Sequence, residues 1–188
     1  MRIGVDIDGV VSDSYPVWLE ELNQHYGKNI TVLDDYEMHL VFDVPSEDMN
    51  NFFVRNIERL LMMPDPIPGA KEGIETLLQE GHEVIYITAR TLDQKDLTVN
   101  WFNTREIHHE HVLFTGFGSK VDFVKQWGIE VFIEDYLVNA KLIAECGVPV
   151  LLLNTTYNQE EPPADITRCH NWDEIVEGIR RLNSEEVG

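Results

Sequence analysis

Two hydrophobic periodicities divide the chain. Residues 2–7 form a short apolar run bounded by glycine and acidic turn signals, which predicts a buried strand. The pattern then becomes helical. Ser14-Tyr15-Pro16 places proline near a helix start, and Gly27 sits where that helix should end. Pro45-Ser46 opens another helix, whose Met49, Phe52, Phe53, Ile57, Leu60 and Leu61 recur at helical spacing. Met63–Gly69, with three prolines, is a stiff connector.

Beyond the connector, helices and strands alternate. The pattern predicts a helix over about 70–79 ending at Gly81, a strand over His82–Ala89, a helix near 93–104 and a strand over 111–115. A helix over 119–127 ending at Gly128 precedes a strand over 129–134. A helix over 136–146 ending at Gly147 precedes a strand over 148–153, and Ser184–Gly188 should fray. Strands separated by helices imply an α/β fold with a doubly wound parallel sheet. The helical stretch breaks that rhythm and reads as an inserted cap. The expected division is a core of residues 1–13 and 67–188 and a helical cap of residues 14–66.

Composition narrows the function. A chain of 188 residues suits one core with an inserted subdomain. The net charge of −20 argues against a broad nucleic-acid or anionic-membrane footprint, and it would repel a phosphorylated substrate unless local cations offset it. Cys146 and Cys169 suggest neither a disulfide framework nor a zinc cluster, but reduced thiols. Asp6 and Asp8 interrupt the first apolar run, so no signal peptide is expected, and no stretch has membrane-spanning length. A cytoplasmic protein is the expectation.

The chemistry lies where the strands end. Ligands of open α/β sheets bind outside the carboxyl ends of the strands. Asp6 and Asp8 follow the first strand, with Gly9 allowing a sharp turn; Thr88 ends the second, followed by Ala89 and Arg90. Ser119 and Lys120 follow the third, and Glu134-Asp135 ends the fourth. Singly, each has a structural reading: a satisfied hydroxyl, a surface cation, a helix N-cap. Together they suit phosphoryl transfer. Mg²⁺ held by carboxylates would neutralise phosphate oxygens, while Lys120, Thr88 and N–H groups of the turn after Asp8 bind the others. One carboxylate can attack phosphorus and its neighbour can serve as acid and then base.

This ordered set resembles the haloacid dehalogenase-like phosphohydrolases. Their first motif, Asp-x-Asp-Gly-Val, is matched by Asp6-Ile7-Asp8-Gly9-Val10, the second at Thr88, the lysine at Lys120 and the acidic motif at Glu134-Asp135. The resemblance implies that Asp6 is transiently phosphorylated and that Asp8 protonates the leaving alkoxide and then activates water. It implies Mg²⁺ on the Asp6 side chain, the Asp8 carbonyl and Asp135, with Glu134 acting through water. Within the superfamily the chain is similar to the 5′(3′)-deoxyribonucleotidases and related bacterial proteins. Asp6–Asp13, Pro66-Ile67-Pro68-Gly69-Ala70, Asn158-Gln159, Arg168 and Trp172-Asp173 carry that likeness. Those enzymes usually have Thr-Ser-Pro where this chain has Thr88-Ala89-Arg90. Arg90 is therefore expected to contact the phosphate or another substrate group, with a surface salt bridge as its structural alternative.

The expectation is an Mg²⁺-dependent phosphomonoesterase for a small phosphorylated substrate, a (deoxy)nucleoside monophosphate before a sugar phosphate or a nucleic-acid 3′-phosphate end. A receiver-type phosphorylated module is the alternative from another class. Receivers, however, carry the phosphorylated aspartate at the third strand's end, where this chain has Thr115-Gly116. His108-His109-Glu110-His111 reads as a solvated loop, and Gly116-Phe117-Gly118-Ser119-Lys120 lacks phosphate-loop spacing. Phe52 and Phe53 read as cap core, with one able to face the cleft; Tyr15, Trp18 and Arg55 are cap candidates for substrate contact.

Overall fold

The apolar runs pair edge to edge. In a computed structural model that describes residues 1–116 and 118–185, six strands form one parallel sheet. They are β1 (Arg2–Val5), β2 (Glu83–Thr88), β3 (His111–Phe114), β4 (Val131–Glu134), β5 (Val150–Leu153) and β6 (Ile166–Cys169). Their order is β3-β2-β1-β4-β5-β6. The order reverses direction between β1 and β4, and that switch point opens a crevice at the strands' carboxyl ends.

Both faces of the sheet's centre are covered, which is why β1, β2, β4 and β5 carry apolar runs without a polar alternate. On one face Val5, Tyr86, Ile133 and Leu151 pack against α4 (Ala70–Gln79), α5 (Lys95–Arg105) and α8 (Trp172–Glu185). On the other, Ile85, Ile87, Phe132 and Leu152 meet α6 (Lys120–Trp127) and α7 (Leu137–Ala144). Two fully buried indoles also fix loops. Trp101 donates to Pro64 O at 2.8 Å and holds the connector, and Trp172 donates to Val10 O at 2.9 Å and holds the turn after β1. Burial of each such side chain contributes roughly 2–3 kcal/mol.

The long insertion builds α1 (Ser14–Tyr26), α2 (Met38–Val41) and α3 (Ser46–Met62). Leu22, Phe42, Phe52 and Leu60 form an apolar cluster of their own. The chain leaves and re-enters the sheet at adjacent points: Ser12 and Pro66 form an antiparallel bridge, Asp13 N–H donates to Asp65 O at 2.9 Å, and Ile67 N–H to Val11 O at 2.8 Å.

Gly27 and Gly128 end their helices in the left-handed conformation, as expected. Two elements were not foreseen, the four-residue α2 and the edge strand β6. α8 runs through Glu185 and so includes Ser184, the first residue of the segment expected to fray. Residues 186–188, the rest of that expectation, lie outside the described residues, as does Phe117 of the Gly116–Lys120 segment. Among the described residues, no helix is long and apolar enough to cross a membrane.

Candidate active site

The crevice collects the strand-end residues. Asp6 lies one position past β1, its N–H still bonded to Ile133 O at 3.0 Å, so it faces the end of β4. The chain then turns tightly, with the N–H groups of Val11 and Ser12 both donating to Ile7 O at 2.9 and 2.8 Å. Gly9 has φ +85°, and a Cβ there would collide with the Asp135 carboxylate and lie 2.7 Å from the Tyr15 ring. Only glycine fits. Its N–H, expected to face phosphate, instead donates to Ser12 O at 2.9 Å.

Four carboxylates share this space with two cations. Lys120, the first residue of α6, is buried and places Nζ 2.9 Å from Asp6 Oδ2 and 3.0 Å from Glu134 Oε2. Burial works against its ammonium, but the charges of Asp6 and Glu134 outweigh it and raise its pKa. Glu134, at the end of β4, is fully buried; it also accepts from Asn139 Nδ2 at 2.7 Å, so both of its oxygens have donors. Asp135 is different. Tyr157 donates its hydroxyl to Oδ2, whereas Oδ1 is buried with no hydrogen-bond partner among the described residues. Burial and the Asp6 charge push the Asp135 carboxyl up to about 7. Oxygens of Asp6, Glu134 and Asp135 lie within 4.8 Å of one another, a buried acidic cluster that could hold a cation.

Asp8 belongs to a second network. Arg90 donates Nε to Asp8 Oδ2 at 2.8 Å and Nη2 to Oδ1 at 2.7 Å, while Ser14 Oγ donates to Oδ1 at 2.6 Å. Burial raises the Asp8 carboxyl, but the Arg90 charge and hydrogen bonds, with Ser14 and Lys120, prevail and hold it below its ordinary value. The expected contact of Arg90 with substrate is therefore not its contact here: its guanidinium is engaged by a core carboxylate. Nor is it a surface salt bridge, since its side chain is 3% exposed. Thr88 Oγ1 accepts from Arg90 N–H at 3.2 Å, and Ala89 lines the cleft beside it.

That cleft, about 220 Å³, runs from Asp6, Asp8 and Thr88 to an aromatic wall of Tyr15, Trp18, Tyr36 and Phe53. It continues into a space of about 460 Å³ bounded also by His39 and Met49. Phe53 thus faces the cleft, while Phe52 is core among the inserted helices. Tyr36 stacks on Tyr136, ring centroids 3.7 Å apart, tying the insertion to the residue after Asp135. Arg55 does not join the cleft but lies in the groove between α3 and α5. The histidines of the 108–111 segment find separate partners: His108 near Glu110, His109 stacked on Phe102, His111 near Glu83.

Sequence reasoning missed Ser14, Tyr36, Thr98, Asn139 and Tyr157. Asn158, noted only through the resemblance, donates Nδ2 to Asp135 O at 2.7 Å and is itself held by Arg168 Nη1 at 2.7 Å.

The fold, with carboxylates at its strand ends, is that of solved hydrolases of the haloacid dehalogenase superfamily. A HAD family hydrolase from Deinococcus radiodurans R1, solved with bound phosphate and sodium, superposes with a TM-score of 0.64 over 97% of this chain and 96% of that one, at 16% identity. The family profile described as 5′ nucleotidase, deoxy (Pyrimidine), cytosolic type C protein matches residues 1–184, and the chain belongs to that family. Relatives include a Bacillus subtilis protein named "Putative nucleotidase YqfW", 34% identical over 180 residues (94% of this chain, 92% of that protein). A nucleotidase of Clostridium acetobutylicum is 30% identical over 184 residues, covering 97% and 95%. The chain is thus a phosphatase of the nucleotidase type, which sets aside the receiver-module alternative.

Proposed function

We propose that the protein hydrolyses nucleoside monophosphates in the presence of Mg²⁺, through an aspartyl-phosphate on Asp6, with residues 14–66 acting as the cap. The observation that carries this reading is the Asp135 carboxylate, buried beside Asp6 with one oxygen unpartnered. An orphaned buried oxygen costs free energy that a hard cation would recover. The charge count agrees. Among the described residues, Asp6, Asp8, Glu134 and Asp135 form ion pairs only with Lys120 and Arg90, so a phosphate dianion needs another cation.

Asp6, Asp135 and the Asp8 carbonyl would hold Mg²⁺, with Glu134 acting through water because its own oxygens are occupied by Lys120 and Asn139. When bound, the ion would screen phosphate charge and stabilise the charge that builds on the transferring phosphoryl group. Asp6 Oδ attacks phosphorus as the ester P–O bond breaks. Asp8 gives the leaving oxygen a proton, then takes one from the water that attacks the Asp6 phosphoryl and releases phosphate. Lys120 keeps Asp6 aimed and follows its charge onto the phosphoryl oxygens, with Thr88 as a further donor. The aromatic wall favours a flat, uncharged leaving group over a second phosphate, for among the described residues the one arginine or lysine lining the cleft is Arg90, which is paired with Asp8.

Phosphate release should be screened with Mg²⁺ across ribonucleoside and deoxyribonucleoside monophosphates and sugar phosphates. The expected result is turnover of the nucleotides, lost in EDTA. Preference for sugar phosphates would refute the substrate class, and full activity in chelator would remove the metal.

A further inference from the structure

We propose that Arg90 is a positioning residue for Asp8 rather than a phosphate ligand, and that it leaves Asp8 Oδ2 as the atom through which the proton passes. The inference deepens the reading of Asp8 as the acid–base group and rests on it.

The geometry carries the argument. A planar guanidinium grips both carboxylate oxygens side on, at 2.8 and 2.7 Å, which fixes the plane of the carboxylate as well as its position. The guanidinium is fixed in turn. Its Nη1 donates to Thr98 Oγ1 at 3.1 Å, and Thr98 Oγ1 donates to Gln94 O at 2.9 Å at the start of α5. Each of the three guanidinium nitrogens therefore has a partner in the core, and although Arg90 borders the cleft, swinging its fork onto a substrate would break a charge-assisted pair.

The two Asp8 oxygens are not equivalent. Oδ1 accepts from both Arg90 and Ser14, whereas Oδ2 accepts from Arg90 alone. Asp8 lines the cleft beside Asp6, so the open lone pair belongs to Oδ2. Paired with Arg90 and Ser14, Asp8 rests as a carboxylate, so Oδ2 first takes a proton from solvent. In the first half-reaction that Oδ2–H bond breaks and its proton goes to the ester oxygen, as the bond from Asp6 to phosphorus forms and the ester P–O bond breaks. In the second, Oδ2 takes a proton from water as the water oxygen bonds to phosphorus and the Asp6–phosphorus bond breaks. Asp8 then returns that proton to solvent and ends as it began, with water the only other reactant.

The test compares Arg90→Ala with wild type, in Mg²⁺, on deoxythymidine 5′-monophosphate and p-nitrophenyl phosphate. The nucleoside leaves as an alkoxide that needs a proton; the nitrophenolate does not. kcat/KM reports the steps through departure of the leaving group. It should fall by about thirtyfold or more on the nucleotide, part of the full acid–base contribution, and within about threefold on the aryl ester. Equal falls on both esters, whether a phosphate contact or only the fold is lost, would overturn the proposal. Arg90→Lys, which keeps the charge and most of the volume, covers the case in which Arg90→Ala does not fold. It should show the same split, since an ammonium cannot reproduce the fork, and full activity in it would overturn the proposal. Asp8→Asn, measured in parallel, separates the two levels. If it spares both esters, the acid–base reading itself fails. If it shows the split and the Arg90 variants do not, only the Arg90 proposal fails.

Discussion

Replacing Asp135 with asparagine should make the metal-free protein more stable while destroying its response to Mg²⁺. Burial and the neighbouring Asp6 raise the Asp135 carboxyl from 3.8 to about 7. Each pKa unit corresponds to about 1.36 kcal/mol, so a fully ionised Asp135 costs the folded state about 4 kcal/mol. The folded pKa lies above the unfolded one. The cost is therefore absent below about pH 4, grows through the interval and is complete above pH 7. Asparagine carries no charge to desolvate and keeps an oxygen for the Tyr157 hydroxyl. In EDTA the variant should exceed wild type by up to about 4 kcal/mol at pH 8 and by clearly less at pH 5, where wild-type Asp135 is largely protonated in the folded state. Urea unfolding at both pH values, with EDTA and with saturating Mg²⁺, measures this directly. Mg²⁺ should stabilise wild type and leave the variant unmoved. A variant no more stable than wild type at pH 8 in EDTA, or a gap independent of pH, would refute the electrostatic reasoning. Equal stabilisation of both proteins by Mg²⁺ would remove Asp135 from the ligand set.

Three further outcomes are expected. Asp6→Asn should lower phosphate release below about one per cent of wild type while circular dichroism stays unchanged, and substantial residual turnover would sink the covalent route. Glu134→Gln sets an amide NH₂ against Lys120 or Asn139, so urea unfolding should show a loss of about 1–3 kcal/mol. Its Mg²⁺ requirement, read from activity titrations, should rise about tenfold to a hundredfold, less than for Asp135→Asn. Gly9→Ala forces a side chain into left-handed backbone at about 1–2 kcal/mol and against Asp135, so thermal unfolding and Mg²⁺ titration should both weaken.

The placement of the site was legible wherever a buried strand met its first polar residue. Asp6, Thr88 and Glu134 end strands covered on both faces, and such strands announce their ends by a change of polarity. The edge strand β6 escaped because Ile166-Thr167-Arg168-Cys169 is too polar in its middle to read as an apolar run, and α2 is a single turn. Arg90 was placed at the correct edge, but its direction is set by Asp8, far away in the chain, whose buried carboxylate demands a donor. Tyr157 and Asn139 reach the acidic residues by the same kind of non-local requirement, which no local pattern encodes. Arg55 shares a helix with the cleft-facing Phe53, yet lies in the groove facing α5.

The crossing between sheet and helical insertion has a consequence for how this protein can change. Ser12 and Pro66 are already bridged by backbone, and their neighbours Asp13 and Asp65 are joined by a hydrogen bond. The ends of the insertion are thus held together at the surface of the sheet, and loop-closure entropy grows only slowly with what lies between, about 0.6 kcal/mol for each doubling of length. A different segment could be spliced between these points at small cost to the sheet. Asp6, Lys120, Glu134 and Asp135 would stay in place, while the wall of Tyr15, Trp18, Tyr36 and Phe53 would be exchanged as a unit. On the proposed function, bond-breaking and choice of leaving group would then reside on largely separable lengths of chain, joined at Ser14, which opens the insertion and holds Asp8.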